Sequence, residues 1–274
     1  MSEMWDSVAP GWEANAGFVD EQLALATEAL LDAAQIVEGD RVLDLAAGPG
    51  GAGLAAAQRV GSSGRVVLSD VAAEMVAVAA KRASTDARLS TAVFDQSAIE
   101  FGDASFDAVI NRHGLMFAED PARTVAEAVR VLDARGRYAV MTWDRRAANP
   151  WLGLVLDAVG AQFGVPFPPP NIRGPFSLDT PDVLTSVLRD GGLEDVTVQA
   201  MATPMHAASL EEWWERVPEL AGPLAIALAG MEPDVRNAIR ERAIQSGTQA
   251  AASGEDGIVF ESSVLIGSGR KAAR

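Results

Sequence analysis

Residues 42–53 read Val-Leu-Asp-Leu-Ala-Ala-Gly-Pro-Gly-Gly-Ala-Gly, and this stretch decides the fold. Its apolar first half predicts a buried β-strand, and its glycines predict a tight turn that leads into a helix. Glycine has no Cβ, so a turn rich in glycine lets a ligand approach the backbone closely. Ligands of open α/β sheets bind just beyond the carboxyl ends of the strands. The stretch therefore predicts an α/β protein with a ligand site at this turn.

Strand-length apolar runs alternate with helical segments around the turn. Predicted strands cover Arg41–Ala46, Arg65–Asp70, Leu89–Phe94, Phe106–Asn111, Arg137–Trp143, Val196–Ala200 and Ile258–Gly267. Predicted helices cover Glu21–Ile36, Ala52–Val60, Ala72–Ala83, Pro121–Leu132, Asp182–Arg189 and, with interruptions at prolines, Leu210–Gln245. Continuous apolar strands indicate burial on both faces, and strand–helix alternation indicates right-handed crossovers. The pattern predicts a doubly wound, mostly parallel sheet.

Length, charge and composition narrow the functional classes. The chain has 274 residues, which fits a single domain over residues 1–274 with an added cap of helices. Its net charge of −16 disfavours nucleic acid and acidic membrane surfaces as partners. It lacks cysteine and closely spaced histidines, so no metal site is predicted. The first residues do not resemble a signal peptide, and a cytoplasmic protein acting on a small molecule is expected.

Asp70 ends the second predicted strand, downstream of the glycine turn. A carboxylate at this place accepts two hydrogen bonds from the vicinal hydroxyls of a ribose. The alternative is that Asp70 caps the helix that follows it. The glycine turn upstream favours the ribose-binding role.

Asp44 distinguishes between two kinds of cofactor. Residues 48–53 also satisfy the pattern Gly-x-Gly-x-x-Gly, which permits a dinucleotide. A pyrophosphate at the start of the helix would be repelled by the nearby carboxylate of Asp44, whereas an ammonium group would be attracted, directly or through water. The alternative is that backbone amides alone satisfy Asp44. The pairing of Asp44 with Asp70 favours a functional role.

Four ordered segments carry a resemblance to a known family. They are Val42–Gly50, Val67–Met75, Phe94–Phe101 and Ser105–Ile110. Their order and spacing resemble those of the class I S-adenosylmethionine-dependent methyltransferases, in particular the small-molecule branch that includes the ubiquinone and menaquinone biosynthesis methyltransferases. The resemblance implies S-adenosylmethionine as the cofactor and a seven-stranded sheet whose final strand is antiparallel.

The first motif of the family places Ala46, Gly48 and Gly50 among the cofactor-binding residues. Ala46 stands where the family most often has glycine. Residues 5–12 resemble the family's mobile N-terminal segment, which folds over the cofactor; packing of Trp5 and Trp12 against the core is the alternative.

The later motifs assign the sugar and adenine contacts. The resemblance implies that Asp70 holds the ribose and that Met75 or Val71 packs against the adenine. It also implies that Asp95 accepts a hydrogen bond from the adenine amino group and that Gln96 gives a neighbouring backbone contact.

The segment after the fourth strand supplies the candidate catalytic residue. His113 lies at the ligand-bearing edge of the sheet, where it either deprotonates the methyl acceptor or only shapes the loop. Asn111 is expected to contact the methionine portion of the cofactor through its backbone or its side chain. Arg112 either meets an anionic substrate group or pairs with an internal carboxylate, and the acid-rich composition favours the internal pair.

The regions outside the core predict a substrate cap. We expect an N-terminal covering segment and helix over 1–38, a cofactor-binding core over 39–145, and cap insertions over 146–180 and 205–250. Aromatic residues in the cap suit a flat or apolar acceptor, although they could equally form the cap's own core. One of Trp213 and Trp214 is expected to face a pocket or a partner subunit, so a homodimer is one alternative.

The sequence thus predicts methyl transfer to a small, apolar or aromatic acceptor, at an oxygen, carbon or nitrogen atom of that acceptor. One alternative is an NAD(P)-dependent oxidoreductase on a Rossmann fold. Another is a protein that binds the cofactor without catalysis, since the motifs report cofactor binding only.

Overall fold

The structure, a computed structural model, describes residues 2–170 and 172–272. The two limits of the domain expected over 1–274 fall on residues outside this part. The chain forms a seven-stranded sheet, a second sheet of three strands, and helices that cover both.

The large sheet has the strand order β3-β2-β1-β4-β5-β10-β6. Its strands are β1 (Arg41–Leu45), β2 (Arg65–Asp70), β3 (Leu89–Val93), β4 (Phe106–Arg112), β5 (Leu132–Trp143), β6 (Leu193–Ala202) and β10 (Ser263–Lys271). The pairs among β1 to β5 are parallel, whereas β10 runs antiparallel to both β5 and β6. The predicted doubly wound, mostly parallel seven-stranded sheet is therefore confirmed.

The helices that link the strands lie on both faces of the sheet. They are α3 (Gly51–Arg59), α4 (Ala73–Ala83), α5 (Pro121–Val131) and α7 (Pro181–Asp190). α3 and α4 connect strands that advance from β1 towards β3, whereas α5 and α7 connect strands that advance towards β6. Right-handed crossovers place the two sets on opposite faces. The inner strands β1, β4 and β5 are mostly buried, which explains their continuous apolar runs, whereas the edge strands β3 and β6 are partly exposed.

The prediction of one strand over Ile258–Gly267 was wrong. Gly257–Phe260 forms β9, which pairs with β7 (Met205–Ala207) and β8 (Ala252–Gly254) in the small sheet. The chain leaves this sheet at Glu261, and β10 begins at Ser263 in the large sheet. The two apolar segments are separated by the polar residues Glu261, Ser262 and Ser263, and the chain changes sheets at this interruption.

The helix predicted over Glu21–Ile36 is replaced by two helices. α1 spans Ser2–Gln22 and α2 spans Ala24–Ala33. α1 contacts α4, α8 and α9 and lies over the glycine turn, whereas α2 packs on the large sheet. The remaining helices are α6 (Pro150–Phe163), α8 (Leu210–Leu220), α9 (Gly222–Ala229) and α10 (Pro233–Ala250).

Candidate functional site

A cavity of about 330 Å³ lies at the carboxyl ends of the parallel strands. Its floor follows the strand order of the sheet. The residues are Phe94–Ser97 after β3, Asp70–Val71 at β2, Ala46–Pro49 after β1, Arg112–Gly114 at β4, and Trp143 at β5. This edge is where open α/β sheets bind ligands, because loops there can diverge without breaking the sheet.

The roof of the cavity comes from α1 and from the helices that follow β5. α1 contributes Trp5, Trp12 and Val19. The later part of the chain contributes Trp151, Leu152, Leu156, Phe167, Pro168, Pro175, Met205, Val217, Leu220, Ala221, Pro223 and Leu224. These contributions are apolar, so the roof forms a large hydrophobic wall opposite a floor that carries most of the polar groups.

The glycine turn adopts left-handed backbone conformations. Ala46, Gly48 and Gly50 have φ angles of +53°, +52° and +87°. A Cβ built on Gly48 would meet no atom within 4 Å, so its missing side chain leaves open space beside the cavity. A Cβ on Gly50 would lie 2.9 Å from Leu68 Cδ1. Gly48 therefore borders the cavity, whereas Gly50 allows close packing of the turn on β2 and does not line it.

Asp70 binds two backbone amides and also lines the cavity. Its Oδ2 accepts a hydrogen bond from Gly48 N at 3.0 Å, and its Oδ1 accepts one from Ala72 N at 3.0 Å. The carboxylate thus ties the glycine turn to the start of α4 and still lines the cavity. A carboxylate has about four acceptor positions, so two backbone bonds leave capacity for a ligand's hydroxyls. Burial raises the pKa of Asp70, and the backbone amides of Ala72 and Gly48 oppose that shift.

Asp44 lies behind the turn and does not line the cavity. It is fully buried, with Leu68 of β2 on one side and Ile110 of β4 on the other. Its Oδ2 accepts a hydrogen bond from Gly53 N at 2.8 Å, whereas its Oδ1 has no partner among the described residues. Burial raises the pKa of Asp44 to about 7. Because this carboxylate already accepts from the Gly53 amide in the first turn of α3, that amide is not available to a pyrophosphate.

Asp95 and Gln96 reach the cavity, whereas Asn111 does not. Asp95 Oδ1 accepts hydrogen bonds from Ser97 N and Ser97 Oγ, both at 2.7 Å. Asn111 Oδ1 accepts from the amides of Gly114 and Leu115, and its Nδ2 donates to Gln96 Oε1 at 2.9 Å. These bonds engage the Asn111 side chain in shaping the loop that follows β4. The expected contact of Asn111 with the methionine portion therefore has no support from the direction of its side chain.

His113 follows β4 and lines the cavity between the glycine turn after β1 and Trp143 of β5. Its backbone has a φ of +62°, and its ring stacks on Trp143 with centroids 4.3 Å apart and planes inclined by 21°. Both ring nitrogens are buried, and neither has a hydrogen-bond partner among the described residues. Burial, and then the charge of Arg112, lowers the pKa of His113 to about 3. The ring is therefore a neutral group, with one donor and one acceptor that no described residue satisfies.

Arg112 pairs with an internal carboxylate, as the sequence favoured. Its Nη2 lies 3.1 Å from Asp20 Oδ1, and its Nη1 donates to Thr27 Oγ1 at 3.0 Å. Asp20 lies on α1 and also pairs with Arg82 of α4, which donates to Pro49 O in the glycine turn at 2.8 Å. Sequence reasoning missed Asp20, because one acidic residue on a polar helix gives no signal of its distant partners.

Family and structure comparisons agree with this geometry. Residues 43–140 match the family model described as "Methyltransferase domain". The ubiquinone/menaquinone biosynthesis C-methyltransferase UbiE of Xylella fastidiosa (strain M12) is 35% identical over 127 residues, which are 45% of this chain and 50% of that protein. UbiE of Xanthomonas campestris pv. campestris is 36% identical over 129 residues, with the same coverage. The chain spans about half the length of the curated relatives it matches.

Solved structures share the fold over nearly the whole chain. The [4+2]-cyclase SpnF has a TM-score of 0.62 at 19% identity, covering 99% of this chain and 96% of its own. The YcgJ protein of Bacillus subtilis has a TM-score of 0.59 at 19% identity, covering 92% and 98%. At such identities the similarity concerns the fold alone.

The seven-stranded sheet with its antiparallel β10, and the cavity at the carboxyl edge of its parallel strands, agree with the arrangement expected from the sequence. Residues 43–140 of the chain match a methyltransferase domain, and over about half of its length the chain is similar to the UbiE C-methyltransferases. Within residues 2–170 and 172–272, no helix has both the length and the apolar character needed to cross a membrane.

Proposed function

We propose that the chain transfers a methyl group from S-adenosylmethionine to a small, neutral acceptor of apolar or aromatic character. The observation that carries this proposal is one undivided cavity whose two ends differ in chemistry. The glycine turn and the carboxylates of Asp70 and Asp95 lie at one end, and the apolar roof lies over the other end. The core that would hold the cofactor spans residues 39–145, and the segment that would cover it spans 1–38. The insertions that would select the acceptor span 146–180 and 205–250.

The cofactor end fits an adenosyl group. Asp70 offers acceptor positions for ribose hydroxyls, and Val71 and Met75 line the cavity beside it as apolar surface for the adenine. Asp95 lines the same end and would accept from the adenine amino group. Gly48 leaves the space next to the turn that a side chain would fill. Asp44 would act on the ammonium group through the turn, since its carboxylate does not reach the cavity.

The acceptor end favours an uncharged molecule. The residues that α6, α8 and α9 contribute to the cavity are all apolar. Moving an unpaired charge against such a wall costs several kcal/mol, in the order of magnitude known for buried ions. An aromatic or aliphatic acceptor instead gains about 25 cal/mol for each Å² of apolar surface that it buries.

Methyl transfer requires alignment and exclusion of water more than strong acid or base catalysis. S-adenosylmethionine, when bound, supplies an electrophilic methyl group. The apolar roof would exclude water from the reacting atoms, and Trp143 with the stacked His113 would hold a flat acceptor in place. A neutral His113 nitrogen would accept a hydrogen bond from an acceptor hydroxyl and orient its oxygen. A pKa of about 3 makes that ring a weak base, so orientation is its main contribution.

The first experiment compares ligands of the two candidate cofactor classes. Calorimetric titration with S-adenosylhomocysteine, NAD and NADP should show binding of S-adenosylhomocysteine alone. Asp70→Asn should weaken that binding by at least about 10-fold, since it removes charge-assisted bonds to the sugar. Asp86→Asn is the matched control, because Asp86 also accepts from a backbone amide (Arg88 N) and does not line the cavity. Binding of NAD in place of S-adenosylhomocysteine would support the oxidoreductase and reject this proposal.

The second experiment tests catalysis. A panel of phenols, quinol precursors and amines, with S-adenosylhomocysteine release as the readout, should give turnover with neutral aromatic hydroxyls or ring carbons. Preference for an amine or for a phosphorylated acceptor would reject the neutral acceptor. Cofactor binding with no turnover on a broad panel would favour the non-catalytic alternative.

A further inference from the structure

We infer that Arg112 binds the carboxylate of the cofactor's amino-acid end and thereby fixes the sulfonium end of the molecule. The inference rests on the proposed function, because it assigns a group of the proposed cofactor to a residue. S-adenosylmethionine carries one carboxylate, and such a group entering a cavity needs a cation or several amides.

The charges around the cavity single out Arg112. The charged residues that line it are Asp70, Asp95, Arg112 and Glu119. Within the described ranges, Arg112 is thus the one cationic residue in the wall of the cavity. The three acids would repel a carboxylate, so a ligand that carries one has a single favourable place for it.

The guanidinium has donors to spare. Arginine has five N–H donors, and described residues accept from Arg112 at two places, Thr27 Oγ1 and Asp20 Oδ1. The side chain is only 10% exposed. A guanidinium in such a setting is held in one orientation before the ligand arrives, which reduces the entropy lost on binding.

Its location matches the amino-acid end of the cofactor. A Cβ built on Gly51 would lie 2.5 Å from Arg112 Nη2, so the guanidinium crosses the start of α3, next to the glycine turn. The charge of Arg112 also lowers the pKa of Asp44 against the effect of burial. A positive and a negative group therefore lie near each other at the turn, which complements the opposite charges of an amino acid.

Asp20 does not cancel this positive charge. One Asp20 carboxylate is shared between Arg82 and Arg112, so two cations face one anion. Its bond to Arg112 is 3.1 Å long, and a second anion would balance the charge of the two guanidinium groups. Asp20 thus acts as a positioning residue that holds Arg112 at the turn.

The test compares two ligands that differ by the carboxylate. We would titrate wild type and Arg112→Gln with S-adenosylhomocysteine and with its decarboxylated analogue, which keeps the ammonium group. Wild type should bind S-adenosylhomocysteine more tightly than the analogue. Arg112→Gln should weaken S-adenosylhomocysteine by about 10- to 100-fold, as expected for a charged hydrogen bond, and the analogue by less than about threefold.

Two further variants separate this role from a structural one. Arg112→Lys should keep part of the discrimination, because it keeps the charge and loses the planar fork. Arg82→Gln removes the other partner of Asp20 without removing a charge from the cavity wall, so it should affect both ligands equally. Equal loss of both ligands in Arg112→Gln, or no loss, would overturn the inference. Failure of wild type to bind either ligand would instead reject the proposed function.

Discussion

His113 shows how the surroundings of a single side chain set its chemistry. The ring is stacked on an indole, its nitrogens are buried, and its pKa is lowered to about 3. A histidine loses its proton above its pKa, so this ring stays neutral across the range in which most enzymes work. The sequence placed His113 at the correct edge of the sheet, but it could not reveal the stack or the burial that weaken it as a base.

We expect substitution of His113 to change the rate without changing the pH profile. His113→Gln should lower kcat/KM for the acceptor by about 10-fold through lost orientation, consistent with one hydrogen bond and one ring contact. Both proteins should show the same shape of kcat/KM between about pH 5 and 9, because a group of pKa near 3 does not titrate there. Loss in the variant of a wild-type limb near pH 6.5 would show that His113 acts as the base.

Ala46 and Gly114 form a tight contact beneath the site. Ala46 has a φ of +53°, a region that costs L-residues about 1–2 kcal/mol and explains why glycine is common at this place. A Cβ built on Gly114 would lie 2.3 Å from Ala46 Cβ and 2.9 Å from Asn111 Oδ1. The turn after β1 and the loop after β4 therefore depend on each other.

This contact predicts coupled mutations. Gly114→Ala should destabilise the protein by about 1–3 kcal/mol, the usual cost of overpacking. Ala46→Gly alone should stay within about 1 kcal/mol of wild type, since relief of strain is offset by the flexibility of glycine. Combined with Gly114→Ala, it should recover part of the loss in a urea-denaturation cycle. Strict additivity would contradict the contact.

Among the elements, the parallel strands were predictable and the helices around them were not. β1 to β5 are continuous apolar runs bounded by turns, and the structure places them within a few residues of the prediction except at the start of β5. α1 was missed because Pro10 and Gly11 lie inside it, and both disfavour a helix unless tertiary contacts support it. Its contacts with α4, α8 and α9 supply that support.

The aromatic residues of the cap divide between the cavity and the cap's own core. Trp143, Trp151 and Phe167 line the cavity, whereas Phe163 is exposed. Trp213 and Trp214 are both buried and neither lines the cavity, so the expected pocket-facing residue of this pair does not face the cavity at the sheet edge. The alternative, that one of them faces a partner subunit, stays a prediction. Trp213 Nε1 donates to Trp151 O at 2.6 Å and its ring packs on Phe260, which joins α8 to α6 and β9.

Trp213→Phe tests the connection between these elements. The variant loses the indole hydrogen bond and part of the packed volume, and we expect it to cost about 1–2 kcal/mol of unfolding free energy. Trp214→Phe, on the same helix and 8% exposed, is the matched control and should cost less. Chemical denaturation followed by circular dichroism measures both. An equal cost would contradict a specific role for the Trp213 bond.

For the whole molecule, the buried Asp44 links stability to pH. Burial raises the pKa of Asp44 to about 7, so between about pH 4 and 7 the folded chain holds a proton that the unfolded chain has lost. The contribution of this residue to stability therefore falls as the pH rises through that window and is constant above it.

Asp44→Asn should remove this dependence while keeping the shape of the side chain. The difference in unfolding free energy between variant and wild type should shift in favour of the variant by up to about 1.4 kcal/mol per pH unit from pH 4 to 7. Urea titrations at several pH values measure that difference. A difference that stays constant over the window would show that Asp44 is already charged in the folded chain near pH 4.

Taken as a whole, the fold was predictable because one strand–turn–helix segment and its alternating neighbours admit few arrangements. Asp70 was predicted from its position at the end of β2, at the same edge of the sheet as the glycine turn, whereas Gln96 was predicted from the family resemblance. The roof and the Asp20 contacts were not, because they depend on packing between segments far apart in sequence.

The position of β10 bears on how the protein is made. This strand comes late in the chain and fits between β5 and β6, bonded to both. During synthesis from the N-terminus, β6 leaves the ribosome before the strand that pairs with it. In a nascent chain that ends before Ser263, one edge of β5 and both edges of β6 would be unpaired, and such edges are templates for aggregation.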